Sequence, residues 1–149
     1  MKKLVLLSAA LLVAGCGENA ASDSAIKEAI EEAVDFQSLE TRNGLRYQVN
    51  ESELYSGWAK RMYYLSEQIE SLAHFKDGKL DGLMTTWHEN GQKMGEGTFK
   101  DGKYDGLSTS WHENGQKQAE VIWKDGELVS KKLWNRKGEE VEAEEEARK

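Results

Sequence analysis

Residues 85–106 read TTWHENGQKMGEGTFKDGKYDG, and residues 109–128 read TSWHENGQKQAEVIWKDGEL. The phrase that opens at Thr85 opens again at Thr109, a period of 24 residues. Each period holds two short sequences suited to chain reversal, Glu-Asn-Gly-Gln and Lys-Asp-Gly, and therefore two strands. Asn-Gly and Asp-Gly suit type I′ turns because both central residues take positive φ, which Gly adopts freely and Asn or Asp tolerates. A two-residue loop at Asn90-Gly91 would set Glu89 against Gln92, His88 against Lys93 and Trp87 against Met94. One hairpin cannot bury its apolar side alone, whereas several side by side can. The predicted fold is mainly β, an antiparallel hairpin meander with one short N-terminal helix.

Working outward, Phe75-Lys76-Asp77-Gly78-Lys79 recurs as Phe99 through Lys103 and, with one aromatic exchanged, as Trp123 through Glu127. Asp81-Gly82 recurs as Asp105-Gly106. The third copy is worn: Ser130 stands where Gly is expected, and Trp134 to Gly138 reproduces Trp111 to Gly115 only after a one-residue deletion. Upstream, Gly57 and Tyr63-Tyr64 fill the Gly and Trp-His places with one residue inserted, and Arg42-Asn43-Gly44-Leu45 supplies the first hairpin signal. The predicted turn glycines are Gly44, Gly78, Gly91, Gly102, Gly115 and Gly126. Atypical terminal copies suit a stacked array, whose ends need caps.

Ideal pairing puts Leu83, Trp87, Met94, Leu107, Trp111 and Ile122 on one face, and Met84, Phe99, Tyr104, Val121 and Trp123 on the other. Both faces come out half apolar. Either something covers each side, or a bulge at Gly95 or Gly97 switches the alternation and gathers the aromatics.

The N-terminus reads differently. Lys2 and Lys3 precede an apolar run from Leu4 to Ala14, the order and length of a secretory signal. Leu12-Val13-Ala14-Gly15-Cys16 resembles the lipobox of bacterial lipoproteins, in which the cysteine receives a diacylglycerol before cleavage. Cys16 is the only cysteine, so no internal disulfide forms. Each buried methylene stabilises attachment by about 0.8 kcal/mol, so two or three acyl chains hold a protein firmly at a membrane. Gly17 follows the cysteine where aspartate would favour the inner membrane, which implies lipid anchorage at the cell envelope, on the outer membrane facing the periplasm. The expected organisation is signal peptide 1–15, lipidated tether 16–24, amphipathic helix 25–36, repeat domain 37–138 and acidic tail 139–149. Ser22, Asp23 and Ser24 offer caps to that helix.

The alternation of an aromatic, Asp-Gly-Lys, x-Asp-Gly and Trp-x-Glu-Asn-Gly resembles the bacterial variant of the MORN repeat, as found in the YwqK-like family. The resemblance spans roughly residues 39–138, and Arg42 through Tyr47 with Tyr55-Ser56-Gly57 resembles that family's opening segment. It implies a single-layer array of hairpins used for protein contact and self-association, with an antitoxin or immunity role as a further implication.

The net charge is −7, and removing Lys2 and Lys3 leaves 18 basic side chains against 27 acids, or −9. So acidic a surface argues against nucleic acid and anionic headgroups as partners. His88-Glu89 and His112-Glu113 repeat metal-ligand types, yet equivalent places in successive hairpins lie about 9.6 Å apart, whereas two imidazoles on one zinc bring their nitrogens within about 4.2 Å. No metal and no cofactor is expected. Neither a nucleophile elbow nor a phosphate loop is present, and the reading is non-enzymatic. That leaves the aromatics Trp87, Trp111, Tyr104, Phe99 and Trp123, which are either the core of the sheet or an exposed contact. Such a contact would receive a protein partner or, as in wall-binding hairpin repeats, a glycan stacked on the rings.

Overall fold

The computed structural model describes residues 22–142. The signal segment, Cys16 and the last seven residues of the acidic tail lie outside them.

The helix α1 runs Asp23–Glu32, ahead of the 25–36 expected, with the Ser22 hydroxyl accepting the Ala25 N–H at its start. It stops at Ala33, which turns extended so that β1 (Val34–Asp35) can lie parallel to β4 (Gly57–Met62). Lys60 of β4 donates its Nζ to the Ile30 carbonyl near the helix end, 2.8 Å away, where the dipole favours a cation. A 3-10 turn, Phe36–Ser38, leads into a separate hairpin of β2 (Leu39–Arg42) and β3 (Leu45–Gln48). The rest is the expected meander: β5 (Ile69–Lys76), β6 (Lys79–Trp87), β7 (Lys93–Lys100), β8 (Lys103–Trp111), β9 (Lys117–Lys124), β10 (Glu127–Trp134) and β11 (Glu140–Val141). With β1 on the far edge, nine strands form one sheet, and β4 to β11 follow chain order. The boundary expected at 138 therefore falls inside the sheet, since β11 pairs with Leu133 and Trp134.

The two kinds of turn differ. At Asn43-Gly44, Asp77-Gly78, Asp101-Gly102 and Asp125-Gly126 both residues have positive φ, as type I′ requires. At the Glu-Asn-Gly corners only Gly91 and Gly115 do, so the two-residue loop expected there is replaced by a three-residue one. The Gly91 N–H closes the turn on the His88 carbonyl at 2.9 Å, and the His88 N–H reaches the Gln92 carbonyl at 2.8 Å. The Asn90 Oδ1 accepts the Gln92 N–H at 3.0 Å, a local bond that holds asparagine out of the positive-φ region. Trp87 consequently pairs with Lys93 rather than Met94, and Met94 becomes the extra residue before the Thr86–Gly95 pair.

The extra Met94 is a one-residue bulge beside Gly95, and a second, wider bulge starts at the Gly97 pair with its added residues on the partner strand. It lies across the strand at Asp81-Gly82 and Asp105-Gly106: between the pairs Phe99–Tyr104 and Gly97–Ser108, β8 carries two residues more than β7. Gly106 has φ 111°, and the Thr98 hydroxyl donates to the Asp105 carbonyl at 2.6 Å, as His74 Nδ1 does to Asp81 in the copy before. In the third copy Ile122 cannot donate, and Ser130 replaces the glycine. There the bulge shrinks to one extra residue between Leu128 and Ser130, which accounts for the one-residue deletion.

Matching corners are tied to their neighbours on both rims. On one, Tyr63 Oη donates to the Trp87 carbonyl, His88 Nε2 to that of Trp111 and His112 Nε2 to that of Trp134. Tyr63 thus occupies the histidine place, not the tryptophan place assigned to it from sequence. Asn90 Nδ2 reaches the Glu113 carbonyl and Asn114 Nδ2 that of Arg136. On the other rim the N–H groups of Gly78, Gly102 and Gly126 donate to the carbonyls of Tyr55, Leu80 and Tyr104. The bulge acids Asp81 and Asp105 accept the N–H groups of Asp101 and Asp125. The Lys124 ammonium that hydrogen-bonds Asp105, together with the Asp125 N–H, holds that carboxyl below its ordinary value.

Replacing Gly106 with Ala should lower stability by about 1–3 kcal/mol, because the new Cβ would sit 2.5 Å from Thr98 Oγ1 on a backbone that side chains avoid. Urea denaturation with an unshifted midpoint would show that the bulge needs no glycine.

Candidate interaction surface

The register sends the two sets of side chains to opposite faces. Met84, Phe99, Tyr104, Val121 and Trp123 share a front face, while Leu83, Trp87, Leu107, Trp111 and Ile122 share the back. Both are covered over the first copy. On the back, Ile26, Ala29 and Ala33 pack on Leu72 and Trp87, and Trp87 is 8% exposed. On the front, Phe36 and Leu39 pack over Ala73, Phe75 and Met84, with the Phe36 ring edge-on to Phe75 at 5.8 Å. Past β7 neither cover extends, and Ile122 and Leu128 are exposed.

Uncovered parts of the two faces differ in character. On the back, Lys93 Nζ bonds Glu96 at 2.7 Å and lies 6.0 Å from the Trp111 ring centre. One copy on, Lys117 bonds Glu120 at 2.6 Å and lies 5.2 Å from Trp134. These tryptophans are roofed by lysines of their own chain. On the front, Phe99 and Tyr104 rings lie 4.1 Å apart, and Tyr104 stacks on Trp123 at 5.2 Å with 23° between planes. Trp123 Nε1 is satisfied by Ser108 Oγ at 2.8 Å, so the indole is fixed rather than searching for a partner.

Beside this aromatic row runs an open trough of about 170 Å³, with Gly95, Gly97, Ser108, Ser110 and Ala119 among the residues that line it. Its depth follows from the small side chains: a Cβ at Gly97 would stand 3.1 Å from the Tyr104 ring, so glycine there lets the ring lean across the strand. The corresponding floor of the first copy, Ser71 and Ala73, is buried.

Of the five aromatics singled out from sequence, the structure brings together Phe99, Tyr104 and Trp123. It assigns Trp87 to the core beneath α1 and puts Trp111 under Lys93. The small-residue floor was missed, although Gly95-Glu96-Gly97 stands in plain view where the first copy has Ser71 and Ala73. His88 and His112 each donate to a backbone carbonyl of the next hairpin. Among the described residues no group of three or more His, Cys, Asp or Glu is disposed to hold a metal ion.

Such an arrangement defines a single-sheet array of hairpin repeats with a covered first copy and an open second and third. Within it, residues 80–101 and 104–125 match the family model of the MORN repeat variant. No curated protein and no solved structure matches the chain.

Trp87→Ala should cost about 3–5 kcal/mol, as a large side chain removed from a packed site does. Tyr104→Ala, at a position 40% exposed, should cost about half that or less. Equal losses in thermal or urea unfolding would contradict the division into core and contact aromatics.

Proposed function

We propose that this chain is a non-catalytic interaction module held at a membrane by lipid on Cys16, with the open front face of its repeat sheet receiving a protein partner. The observation that carries this reading is the open trough and aromatic row of the second and third copies, over which no segment lies as Phe36 and Leu39 lie over Ala73 and Phe75 in the first. Rim bonds on both sides keep that face rigid, so contact there costs little ordering. No helix among the described residues is long and apolar enough to cross a membrane. Anchorage therefore rests on the basic start, the apolar run and the Leu12–Cys16 lipobox, and Gly17 favours the outer membrane, facing the periplasm. Kinship with the YwqK-like repeat proteins is part of the same proposal.

A second reading has its own observation. Tyr104 stays 40% exposed while Trp123 holds its ring from one side, leaving aromatic surface on which a sugar can stack, so a wall glycan is the alternative ligand.

Two measurements test the proposal. Cys16→Ala should move the protein from the membrane to the soluble fraction; unchanged fractionation would refute lipid anchorage. A photocrosslinker at Ser108 in intact cells should yield one polypeptide adduct, and the same group at Glu120 on the back face should yield none. Retention on peptidoglycan that Tyr104→Ala abolishes would transfer the site to the glycan reading, and an adducted partner that is toxic when expressed alone would make the protein its antitoxin.

A further inference from the structure

The front trough does not end at β7. Met84 lines both it and a second, larger cavity of about 510 Å³ at the edge of the covered first copy. This second cavity gathers Arg46, Arg61 and Lys79, with Asp101 as the acid on its wall. Arg46 and Arg61 lie 5.8 and 5.4 Å from the Phe36 ring centre, one guanidinium from the β2–β3 hairpin and one from β4. Arg61 has Glu70 at 3.8 Å, whereas Arg46 and Lys79 have no carboxylate partner among the described residues. In a chain with 27 acids, three cations around one cavity form a local reversal of charge.

What fills the equivalent ground in the first copy is part of this chain. Asp35-Phe36-Gln37-Ser38-Leu39-Glu40 lays Phe36 and Leu39 over Ala73 and Phe75, with an acid at either end. The repeat carries that floor forward by one period as Gly97 and Phe99; there the Tyr104 ring lies against Gly97, and the trough stays open beside it over Gly95, Ser108, Ser110 and Ala119. Resting on the interaction reading above, we infer that the trough takes a short segment of a partner polypeptide built like 35–40, an acid-flanked turn that presents two apolar side chains. Its aromatic or leucine side chain lies along Tyr104, Ser108 and Ser110, and its carboxylate is held by Lys79 and the Arg46 and Arg61 pair. The apolar contact supplies affinity and the cations choose the direction of the segment. The groove continues the packing of Phe36 and Leu39 through Met84, so the incoming segment meets a surface already shaped for such a chain.

The probe is a fluorescein-labelled peptide of residues 34–40, Val-Asp-Phe-Gln-Ser-Leu-Glu, titrated into the full chain by fluorescence polarisation. Saturable binding is expected, at least tenfold weaker for a peptide with Asn and Gln in place of its acids. It should also weaken at least tenfold in Lys79→Glu, which removes a cation, and in Ser110→Phe, which fills the trough, with both variants melting as the parent does. Equal affinity of the neutral peptide, or unchanged binding by Ser110→Phe, would overturn the inference. So would sedimentation showing a dimer whose formation excludes the peptide, since the occupant would then be a second copy. If no peptide binds while the Ser108 crosslink still yields one polypeptide, this inference fails and the interaction reading stands; loss of both removes both.

Discussion

The corners of this sheet are held by the copy next door. A turn exposes backbone N–H groups that its own hairpin cannot satisfy, and here the preceding or following hairpin satisfies them. The Gly102 N–H bonds the Leu80 carbonyl, and the Asp101 N–H bonds the Asp81 carboxylate, across the gap between successive corners. Unpaired backbone groups are costly wherever water is restricted, so each corner's geometry is fixed by its neighbour's sequence as well as by its own. A strict period follows from that dependence. One residue more or fewer between Lys-Asp-Gly and x-Asp-Gly would carry the bulge carboxylate away from the N–H it accepts.

Stacking alone gives a ribbon with two half-apolar faces, and a ribbon one layer thick has no interior. The molecule makes one by folding its N-terminal segment around the first copy, α1 behind and Phe36 with Leu39 in front. Ala59, Leu72 and Ala73 are fully buried there, although the sheet is no thicker than elsewhere. The covered end anchors the array, and the later copies hold their shape through the rims and through Lys-Glu pairs that shield tryptophan on the back. The front of those copies is shielded by nothing in the described chain, and it is the front that combines stacked rings with a floor of glycine, serine and alanine.

Much of this was written legibly in the residues. Period, strand count, antiparallel order and the partition of apolar side chains between two faces all followed from where Asn-Gly and Asp-Gly recur, because a turn fixes register and register fixes the face. Misreadings fell where a local bond competes with the general preference. Asn90 accepts the Gln92 N–H with its own side chain, which favours a three-residue loop over type I′, and Met94 slides out of the pairing expected for it. Asp81-Gly82 carries the same dipeptide as a turn yet makes a bulge, because a donor waits across the strand, and that donor is His74 in one copy and Thr98 in the next. Different residue types doing one job do not look alike in a row of letters. The trough was hidden for another reason: its floor is defined by missing side chains, which periodicity of apolar residues does not register.

The third copy shows how the array stops. Three changes coincide there, Ile122 for the donor, Val129 for the bulge acid and Ser130 for the positive-φ glycine, and together they dismantle one corner's ability to receive another. Without the acid, a further Lys-Asp-Gly turn would find no carboxylate like Asp105 to accept its Asp N–H on that rim. The opposite rim carries on slightly longer, since His112 and Asn114 still find the carbonyls of Trp134 and Arg136, and Asn135 shapes a last corner that returns β11 along only two residues of β10. Most of β10 is thus an edge. Glu127, Lys131 and Lys132 place charge along it, which discourages pairing with stray strands.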